Sequence, residues 1–479
     1  MLIIMSENKT SKNFSHDRKN SVALINTANI IDQADVQLLP AVYNSLERDL
    51  GFNPVQLGLI TAIRSLLQSV TNPVWGYYGD KFSRKTLLAF GCYIWAIFTL
   101  LVAFSSSFET MLISRALSGI GLAVLYPTAS SLLADYYPDN SRGRAFGLLG
   151  LTGIIGSVIG TIYATSISDS LIFGIQGWRV AFATMALVSF VLGFLIHIFG
   201  KDPLRGYSEE QLKGLINEST EKKYKISRSD VKKILSNKSF DLIVLQGMAG
   251  LIPWSSILFI IDWFQYIGLS APLAAISFAV IAMGAALGNL LGGVLGDKAA
   301  RWNPEKGRLI VAQISVFSGI PMMFIIFWFL PRNTDMLLAY IVIGFITGML
   351  ISWAATACNS PIFAELFEPE IRSTAFSIDR FFEGAFAASG TLIVGWLAVN
   401  FFNYYTPAPG IAINQLSQTI RTTNINALAN AMLIATVVPW LFCLFIYFFV
   451  YFTYPSDKQR IGLVLKSRKN ELETLQGNQ

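Results

Sequence analysis

Long apolar segments recur along almost the whole chain and constrain its fold more than any other feature. Twelve of them reach about 20 residues, the length that a helix needs to cross the hydrocarbon core of a bilayer. Only 14% of the 479 residues are charged, against about 25% in soluble domains. The sequence therefore predicts an all-α membrane protein. The predicted spans are 21–45, 55–80, 86–106, 109–135, 143–169, 177–200, 240–268, 272–297, 308–330, 335–365, 373–402 and 425–453.

A polar segment divides the twelve spans into two groups of six. Inside it, SRSDVKKIL begins like a capped helix, with Ser227 or Ser229 as the N-cap. The predicted regions are a cytoplasmic N-terminal arm (1–20), a six-helix bundle (21–200), a cytoplasmic linker with a short amphipathic helix (201–239), a second six-helix bundle (240–453) and a cytoplasmic tail (454–479).

The placement of basic residues predicts the orientation. Most lysines and arginines fall in the N-terminal arm, the linker, the tail and alternate loops, whereas the other loops hold only Arg48, Arg179, Arg332 and Arg421. Because basic loops stay in the cytoplasm, both termini are predicted to be cytoplasmic. Residues 1–20 lack the apolar core of a signal peptide, so the first span is predicted to be retained. The predicted location is the plasma membrane.

The composition of the chain and the absence of several motifs exclude several classes of protein. The chain has two histidines and three widely spaced cysteines, so neither a metal site nor a disulfide framework is predicted. No GxxxxGK[ST], HExxH or GxSxG is present, which argues against an ATP-driven pump and against an enzyme. No catalytic residue and no cofactor is predicted. The net charge of +6 fits a membrane surface, so membrane lipids and not nucleic acid are the expected partners.

Two motifs occur once in each half of the chain. GYYGDKFSRK (76–85) returns as GGVLGDKAAR (292–301), with an offset of 217 residues for the shared letters. ADYYPDNSRGRAF (134–146) matches AELFEPEIRSTAF (364–376) at an offset of 230. Parallel repeats of this kind predict two pseudo-symmetric six-helix bundles with a binding site at their interface, near the bilayer midplane.

These motifs resemble those of the major facilitator superfamily over essentially the whole chain. GYYGDKFSRK is similar to its signature between helices two and three, and RALSGIG (115–121) to its helix-four arginine motif. Residues 26–204 resemble the Spinster-like branch, and more closely a related plant and protist group, in stretches such as DQADVQLLPAVY and GIQGWRVAF. The resemblance implies transport by alternating access. The chain departs from that branch at Leu122, where a glutamate is usual.

The repeated loop is predicted to form a gating latch. An acid at a helix C-terminus is electrostatically misplaced and needs a partner, and spaced glycines allow close helix approach. The resemblance implies that the latch holds the inner side closed. The alternative is a pure topology signal, which suffices for Lys81, Lys85 and Lys298. The predicted latch residues are Gly76, Gly79, Asp80 and Arg84 in the first half, and Gly293, Asp297 and Arg301 in the second.

Ionisable residues within the spans are candidates for a functional site because burying them is costly. Asp32 and Asp35 in the first span, Arg64 in the second and Arg115 in the fourth lie at similar predicted depth, with Asn29 nearby. They are predicted to form a charge-balanced network near the substrate or a coupled proton. With Leu122 in place of an acid, Asp32 or Asp35 could carry that proton. A purely structural ion network explains the pattern equally well.

The second half is poorer in charge within its spans. Gln246, Trp254, Trp353 and Asn359 are candidate cavity-lining residues, although core packing is the commoner role of such tryptophans. Pro253 is expected to kink its helix. The remaining buried acids are Asp262 in the seventh span and Asp379 and Glu383 in the eleventh, where Arg380 is expected to pair locally.

The sequence thus predicts a secondary transporter. The resemblance favours amphiphilic substrates such as lysophospholipid-like or sphingolipid-like molecules, with proton coupling as an option. A proton-coupled transporter of small organic ions or drug-like solutes is the first alternative. A non-transporting receptor on the same fold is the second, because a fold does not fix a function.

Overall fold

The computed structural model is almost entirely helical and describes residues 2–137, 139–203, 227–367 and 369–477, with the side chains of most of them. A small antiparallel hairpin precedes the eighth helix. Its strands, β1 (Leu171–Ile172) and β2 (Ile175–Gln176), have two residues each. The first half contains α1 (Leu2–Ala41), α2 (Tyr43–Leu50), α3 (Pro54–Lys81), α4 (Arg84–Phe104), α5 (Phe108–Leu122), α6 (Leu125–Tyr136), α7 (Asp139–Ser168) and α8 (Gly177–Phe199).

The second half repeats this pattern with more interruptions. It contains α9 (Arg228–Ile234), α10 (Lys238–Ser256), α11 (Ile260–Ile267), α12 (Ala271–Trp302), α13 (Gly307–Phe324), α14 (Leu337–Ile351), α15 (Ser360–Leu366), α16 (Pro369–Ala387), α17 (Ser389–Asn400) and α18 (Gln418–Gly477). Pro253 lies in the last turn of α10, and a 3₁₀ turn separates α10 from α11. A proline lacks the amide donor that a continuous helix needs, so the break falls where Pro253 predicted it.

The helix ends extend further than the sequence predicted. α1 begins at Leu2 and so includes most of the predicted N-terminal arm, while α18 continues through the predicted tail to Gly477. In the linker, α9 begins directly after Ser227, one of the two predicted caps. The rest of the linker, 204–226, lies outside the described residues.

Within the described residues, ten helical segments are long and apolar enough to cross a membrane, and the chain is a multi-pass membrane protein. α1 and α3, which contain the first two predicted spans, are not among the ten. Both are long, but each contains residues of the buried ion network described below, and this polarity lowers their mean hydropathy.

Glycines bring the helices of the first half into backbone contact. A Cβ at Gly156 of α7 would lie 2.2 Å from the carbonyl oxygen of Ile30, and one at Gly160 would lie 2.4 Å from that of Ala34. No larger residue fits at either position, so α7 packs directly on α1 over the turns that hold Asp32 and Asp35.

The chain forms two compact units. The first contains Met1–Lys223, Ile260–Ala279 and Tyr404–Asn424, and therefore includes α1 to α8, α11 and the starts of α12 and α18. The second contains Tyr224–Phe259, Val280–Asn403 and Ile425–Gln479.

Candidate functional site

Asp35 is the centre of a buried ion network in the first unit. Arg64 Nε of α3 lies 3.2 Å from Asp35 Oδ2, and Arg115 Nη1 of α5 lies 3.1 Å from the same oxygen. All three side chains are at most 3% exposed. A charge buried in a membrane helix needs an opposite charge beside it, and here each of the three has one. The structure thus brings together the predicted charges of three different helices.

Asp32 is held less tightly. Gln33 Nε2 donates to Asp32 Oδ2 at 2.9 Å, and Arg64 Nη2 lies 3.7 Å from Asp32 Oδ1, beyond hydrogen-bond distance. Among the described residues, Asp32 Oδ1, Arg64 Nη2 and Arg115 Nε are buried and accept or donate no hydrogen bond. The network therefore retains one free acceptor and two free donors, although the pairing around Asp35 is complete.

The RALSGIG motif places Arg115 against its partners. Gly119 packs on the backbone of Arg64, where a Cβ would lie 2.4 Å from the carbonyl oxygen. Gly121 packs on α4, where a Cβ would lie 2.6 Å from the amide nitrogen of Trp95. Arg115 also lies over the ring of Phe182, 5.5 Å from its centroid. The motif thus fixes the distance between α5 and α3, and with it the pairing of the two arginines through Asp35.

Asn29, the fifth predicted member, makes different contacts. Its side-chain amide donates to the backbone carbonyl of Leu149 at 2.7 Å and lies 3.1 Å from the hydroxyl of Thr152, both on α7. Asn29 therefore joins α1 to α7 on the face beside the ions. None of its hydrogen bonds reaches the two arginines.

Leu122 lines a small cavity with an apolar lining. Its neighbours there include Ala28, Leu88, Cys92 and Trp95, and Leu122 itself is 2% exposed. An acid at this position would be buried among apolar side chains. The ionisable groups of this region are therefore those on α1, α3 and the first part of α5.

Arg84, a predicted latch residue, is the hub of a second buried cluster. It begins α4, and its guanidinium binds Asp135 at the end of α6 and Asp202 after α8, the latter at 2.8 Å. Arg84 is 2% exposed and also donates to the carbonyl oxygen of Pro203 at 2.7 Å. The side chain of Asp80 lies outside the described residues, so its predicted role stays a prediction.

The second half contains an equivalent cluster, but with a different arginine. Asp297 pairs with Arg308 at 3.0 Å, and Arg308 Nε lies 3.6 Å from Glu365. The predicted partner, Arg301, is exposed in the last turn of α12 and forms no ion pair with Asp297. The physical reason is the length of α12, which continues past Arg301 to Trp302, whereas α3 ends at Lys81. Arg308 is therefore the arginine at the start of the next helix, as Arg84 is.

The glycines of the two predicted latch motifs differ in their surroundings. A Cβ at Gly76 or Gly79 would lie 4.0 Å from Pro127 or Thr128, an ordinary contact, and a Cβ at Gly293 would meet nothing within 4 Å. Gly296 alone packs tightly, since a Cβ there would lie 2.7 Å from the Cα atom of Ala357. Close packing within a unit therefore does not explain Gly76, Gly79 or Gly293.

The candidate cavity-lining residues of the second half fall into two kinds. Gln246 is 2% exposed and binds within the core, to the carbonyl oxygen of Ile243 and the thiol of Cys443. Asn359 accepts a hydrogen bond from the hydroxyl of Tyr447. Trp254 and Trp353 are half-buried. The structure does not bring these four side chains together through any hydrogen bond in the described part of the second unit.

Two acids on α16 are buried side by side. Asp379 and Glu383 are 4% and 5% exposed, and Glu383 lies so close to α10 that a Cβ at Gly247 would be 1.8 Å from its Oε1. Arg380, between them in sequence, is exposed. The pair is thus packed against α10 through a glycine.

One buried group of polar residues contains a single residue, Asp262, that the sequence had singled out, and we call it the Glu47 cluster: Tyr43, Glu47, Asp262, Tyr266 and Tyr404. The Tyr266 hydroxyl lies 2.6 Å from Glu47 Oε2, and the Tyr404 hydroxyl lies 2.7 Å from Glu47 Oε1. Glu47 is 2% exposed. It follows the first predicted span, where a charged residue normally faces water, and no sequence spacing links it to residues more than 200 positions away.

Comparison with known proteins places this geometry in a family. The sequence model described as Major Facilitator Superfamily matches residues 25–378. The protein is similar to Protein spinster of Drosophila melanogaster, with 28% identity over 58% of this chain and 45% of that protein. It is also similar to the sphingosine-1-phosphate transporter SPNS2 of Mus musculus, with 23% identity over 78% of this chain and 69% of the relative.

A third relative is named for a different substrate. The cis,cis-muconate transport protein of Acinetobacter baylyi is 23% identical over 82% of this chain and 91% of that protein. Among solved structures, a bacterial homologue of the human lysosomal transporter Spinster, in an inward-facing and unoccupied conformation, superposes with a TM-score of 0.77. It is 18% identical and the match covers 92% of this chain and 98% of that one, which shows a common fold. These relatives are transporters, not enzymes.

Proposed function

Because the chain belongs to the Major Facilitator Superfamily and is a membrane transporter, we propose that it moves lipid-like amphiphiles with a small charged head group by alternating access. The binding centre in this proposal is the network of Asp32, Asp35, Arg64 and Arg115. The substrate for which the SPNS2 relative is named, sphingosine-1-phosphate, supports the substrate class.

The observation that carries the proposal is the unused hydrogen-bonding capacity of the network. In the described part of the chain, the buried Arg64 Nη2 and Arg115 Nε donate no hydrogen bond and the buried Asp32 Oδ1 accepts none, although Arg64 Nη2 and Asp32 Oδ1 lie 3.7 Å apart as an ion pair. Buried polar atoms of native proteins nearly always have partners, so such a group marks a place where a ligand, an ion or a movement supplies them. A head group with both an anionic and a cationic part fits two donors and one acceptor.

On the basis of the same geometry, we propose different roles for the two aspartates. Asp35 is bound by both arginines and is required to balance their charge, whereas Asp32 has a single hydrogen bond from Gln33. In our proposal Asp32 is the residue that carries a proton, and Arg64 moves toward it when the proton leaves. An approaching arginine favours the ionised aspartate, and its withdrawal favours the protonated one.

Uptake into proteoliposomes tests the proposal. We expect accumulation of sphingosine-1-phosphate or a lysophospholipid under a pH gradient, with binding that strengthens about fourfold for each added methylene until the cavity is filled. Asp32→Asn is expected to abolish gradient-driven accumulation and to retain passive exchange. Thr27→Ala, at an exposed position on the same helix, is the matched control. Tight binding of a dicarboxylate with no response to any lysolipid would refute the lipid assignment.

The muconate relative supports a second candidate, a transporter of small organic ions, because its match covers 91% of that protein. The same assay separates the two. A dicarboxylate needs no apolar cavity, so its uptake is expected to be independent of any added alkyl chain. Binding of either substrate class without any transport would instead support a receptor.

We also propose that both termini are cytoplasmic and that the protein functions in the plasma membrane. The positive-inside distribution supports the orientation, in which the loop containing Pro409 faces the outside. A reporter at either terminus should then read as cytoplasmic, and a tag inserted beside Pro409 should be accessible from outside in intact cells. Labelling of the C-terminus from outside would contradict this topology.

A further inference from the structure

The Glu47 cluster is separate from the ion network to which we assign binding. Its five members are at most 6% exposed and come from α2, α11 and the segment that begins at Tyr404, all within the first unit. By the sequence repeat, α2 belongs to the first half of the chain and the other two segments to the second. Besides the cluster, Asn44 Nδ2 donates to Gln265 Oε1 at 2.8 Å, and the Gly410 amide donates to the carbonyl oxygen of Arg48 at 2.6 Å.

Among the described residues, no base neutralises the two acids of this cluster. Arg48 pairs with Asp49 and Asp169, and Arg421 donates to the carbonyl oxygen of Tyr266 at 2.6 Å. Arg115 forms its ion pair with Asp35. In the described part of the chain, neither Glu47 nor Asp262 has an ion pair.

The two acids differ in their hydrogen bonds. Glu47 accepts bonds from two tyrosine hydroxyls, which stabilise a carboxylate. Asp262 is 2% exposed and lies one helical turn before Tyr266 on α11, on the face that binds Glu47. In the described part of the chain its Oδ1 has no hydrogen-bond partner. Two carboxylates that share a buried site cannot both be ionised at small cost, and such a pair titrates as one unit.

We propose that the Glu47 cluster is a proton-binding site in its own right, in which Glu47 is ionised and Asp262 holds one proton. Loss of that proton places two negative charges in the cluster and separates α2 from α11 and Tyr404. In the orientation proposed above, the cluster lies on the outer side of the membrane. Protonation of Asp262 therefore stabilises the closed outer side, and loss of the proton opens it. The site goes beyond the proposed function, because it requires no substrate and does not involve Asp32.

Accessibility of a cysteine at position 265 tests the proposal on the full, substrate-free chain. Gln265 is 9% exposed beside Asn44, so Gln265→Cys reacts with a membrane-impermeant maleimide only when the cluster opens. Phe173→Cys, at a fully exposed position, corrects for the intrinsic pH dependence of thiols. The three native cysteines are buried and remain in place. We expect the ratio of the two labelling rates to rise about tenfold from pH 6 to pH 8, since release of one proton on opening changes the opening equilibrium by tenfold for each pH unit over which the site titrates.

Variants of the two acids decide the outcome. In the Gln265→Cys background, Asp262→Asn mimics the protonated residue, and the ratio should stay low at both pH values. Glu47→Gln removes the neighbouring charge and should give the same result, which provides a second test if Asp262→Asn fails to fold. Asp335→Asn, an exposed acid, should retain the tenfold rise. A pH dependence that persists in both acid variants, or a ratio that follows sodium concentration instead of pH, would overturn the proposal.

The result is independent of transport. If the chain moved no lipid at all, a low ratio in Asp262→Asn would still support the proton site. If it moved lipid and the ratio in that variant still rose with pH, the transport proposal would stand and the proton site would be wrong.

Discussion

Arg84 and Arg308 occupy the same place in the two halves of the chain, yet their surroundings differ in charge. Each arginine lies in the first turn of a helix and pairs with an acid at the end of another, Asp135 for Arg84 and Glu365 for Arg308. A third charged residue approaches each pair. In the first half it is an acid, Asp202, and in the second a base, Lys458, which lies 2.7 Å from Glu365.

The sign of the third residue decides which member of each cluster is indispensable. Arg84 is bound by two acids, so it is the hub of the first cluster. Glu365 is bound by two bases and by the hydroxyl of Tyr454. Arg308 also has a second acid, Asp297, but that side chain is 67% exposed, so Glu365 is the hub of the second cluster. A hub is the residue whose loss leaves like charges facing one another. The two halves therefore share the arginine–acid pair, but the third charged residue is an acid beside Arg84 and a base beside Glu365.

Burial separates the clusters further. The Arg84 side chain is 2% exposed, whereas those of Arg308 and Glu365 are 14% and 28% exposed. Water screens charges that it can reach, so the same change should cost less in the second half.

Arg84→Ala should have the largest effect. It removes the base that Asp135 and Asp202 share, and loss of one partner of a buried ion cluster costs about 3–5 kcal/mol. We expect a strongly lowered yield and apparent unfolding temperature of the purified protein. Lys85→Ala, which removes the adjacent positive charge on the same helix, should have little effect. Equal losses in the two variants would show that Arg84 is not a hub.

Glu365→Gln should have the next largest effect. It leaves Arg308 and Lys458 without their shared acid, but all three are partly solvated, so we expect a loss of about 1–2 kcal/mol. Thermal unfolding measures it, with the exposed Glu305→Gln as the control. The comparison would fail if Glu365→Gln cost as much as Arg84→Ala, because burial would then not distinguish the halves.

Exchanging the signs of the third residues is a sharper test. Asp202→Lys places a base beside Arg84, and Lys458→Asp places an acid beside Glu365, so each should lower stability by about 1 kcal/mol through repulsion. The neutral variants Asp202→Asn and Lys458→Gln serve as references. Because like-charge repulsion is screened by salt, the difference between charged and neutral variants should shrink as the salt concentration rises. A difference that salt does not change would indicate a packing effect.

Much of this architecture could be predicted from the sequence, because the length of each apolar segment and the basic loops between them indicate where the chain crosses a membrane. The buried pairing of Asp35 with Arg64 and Arg115 also followed from depth along the helices, since charges at the same depth must neutralise one another. Arg308 could not be predicted in this way. The repeated letters align Arg301 with Arg84, and only the three-dimensional extent of α12 shows that Arg301 is still helical.

Contacts between residues far apart in sequence were the other limit. Glu47 and Tyr404 are 357 residues apart, and neither lies in a motif. A short run such as NSLERDLGF resembles any polar end of a membrane helix, so its burial depends on the chain that covers it. Asp135 and Asp202 were missed as partners of Arg84 because they also lie far from it along the chain.

Asp297→Asn should have the smallest effect of the four. Asp297 matches the acid of the predicted first-half latch, but its side chain is 67% exposed and its partner Arg308 has Glu365 as a second acid. An exposed ion pair contributes up to about 1 kcal/mol, and here the arginine keeps a partner, so we expect a loss below about 0.5 kcal/mol in thermal unfolding. Arg308→Gln, which removes the base from both acids, should cost clearly more. If Asp297→Asn cost as much as Arg308→Gln, the ion pair with Asp297 would account for the whole contribution of Arg308, and Glu365 would not be the hub of the second cluster.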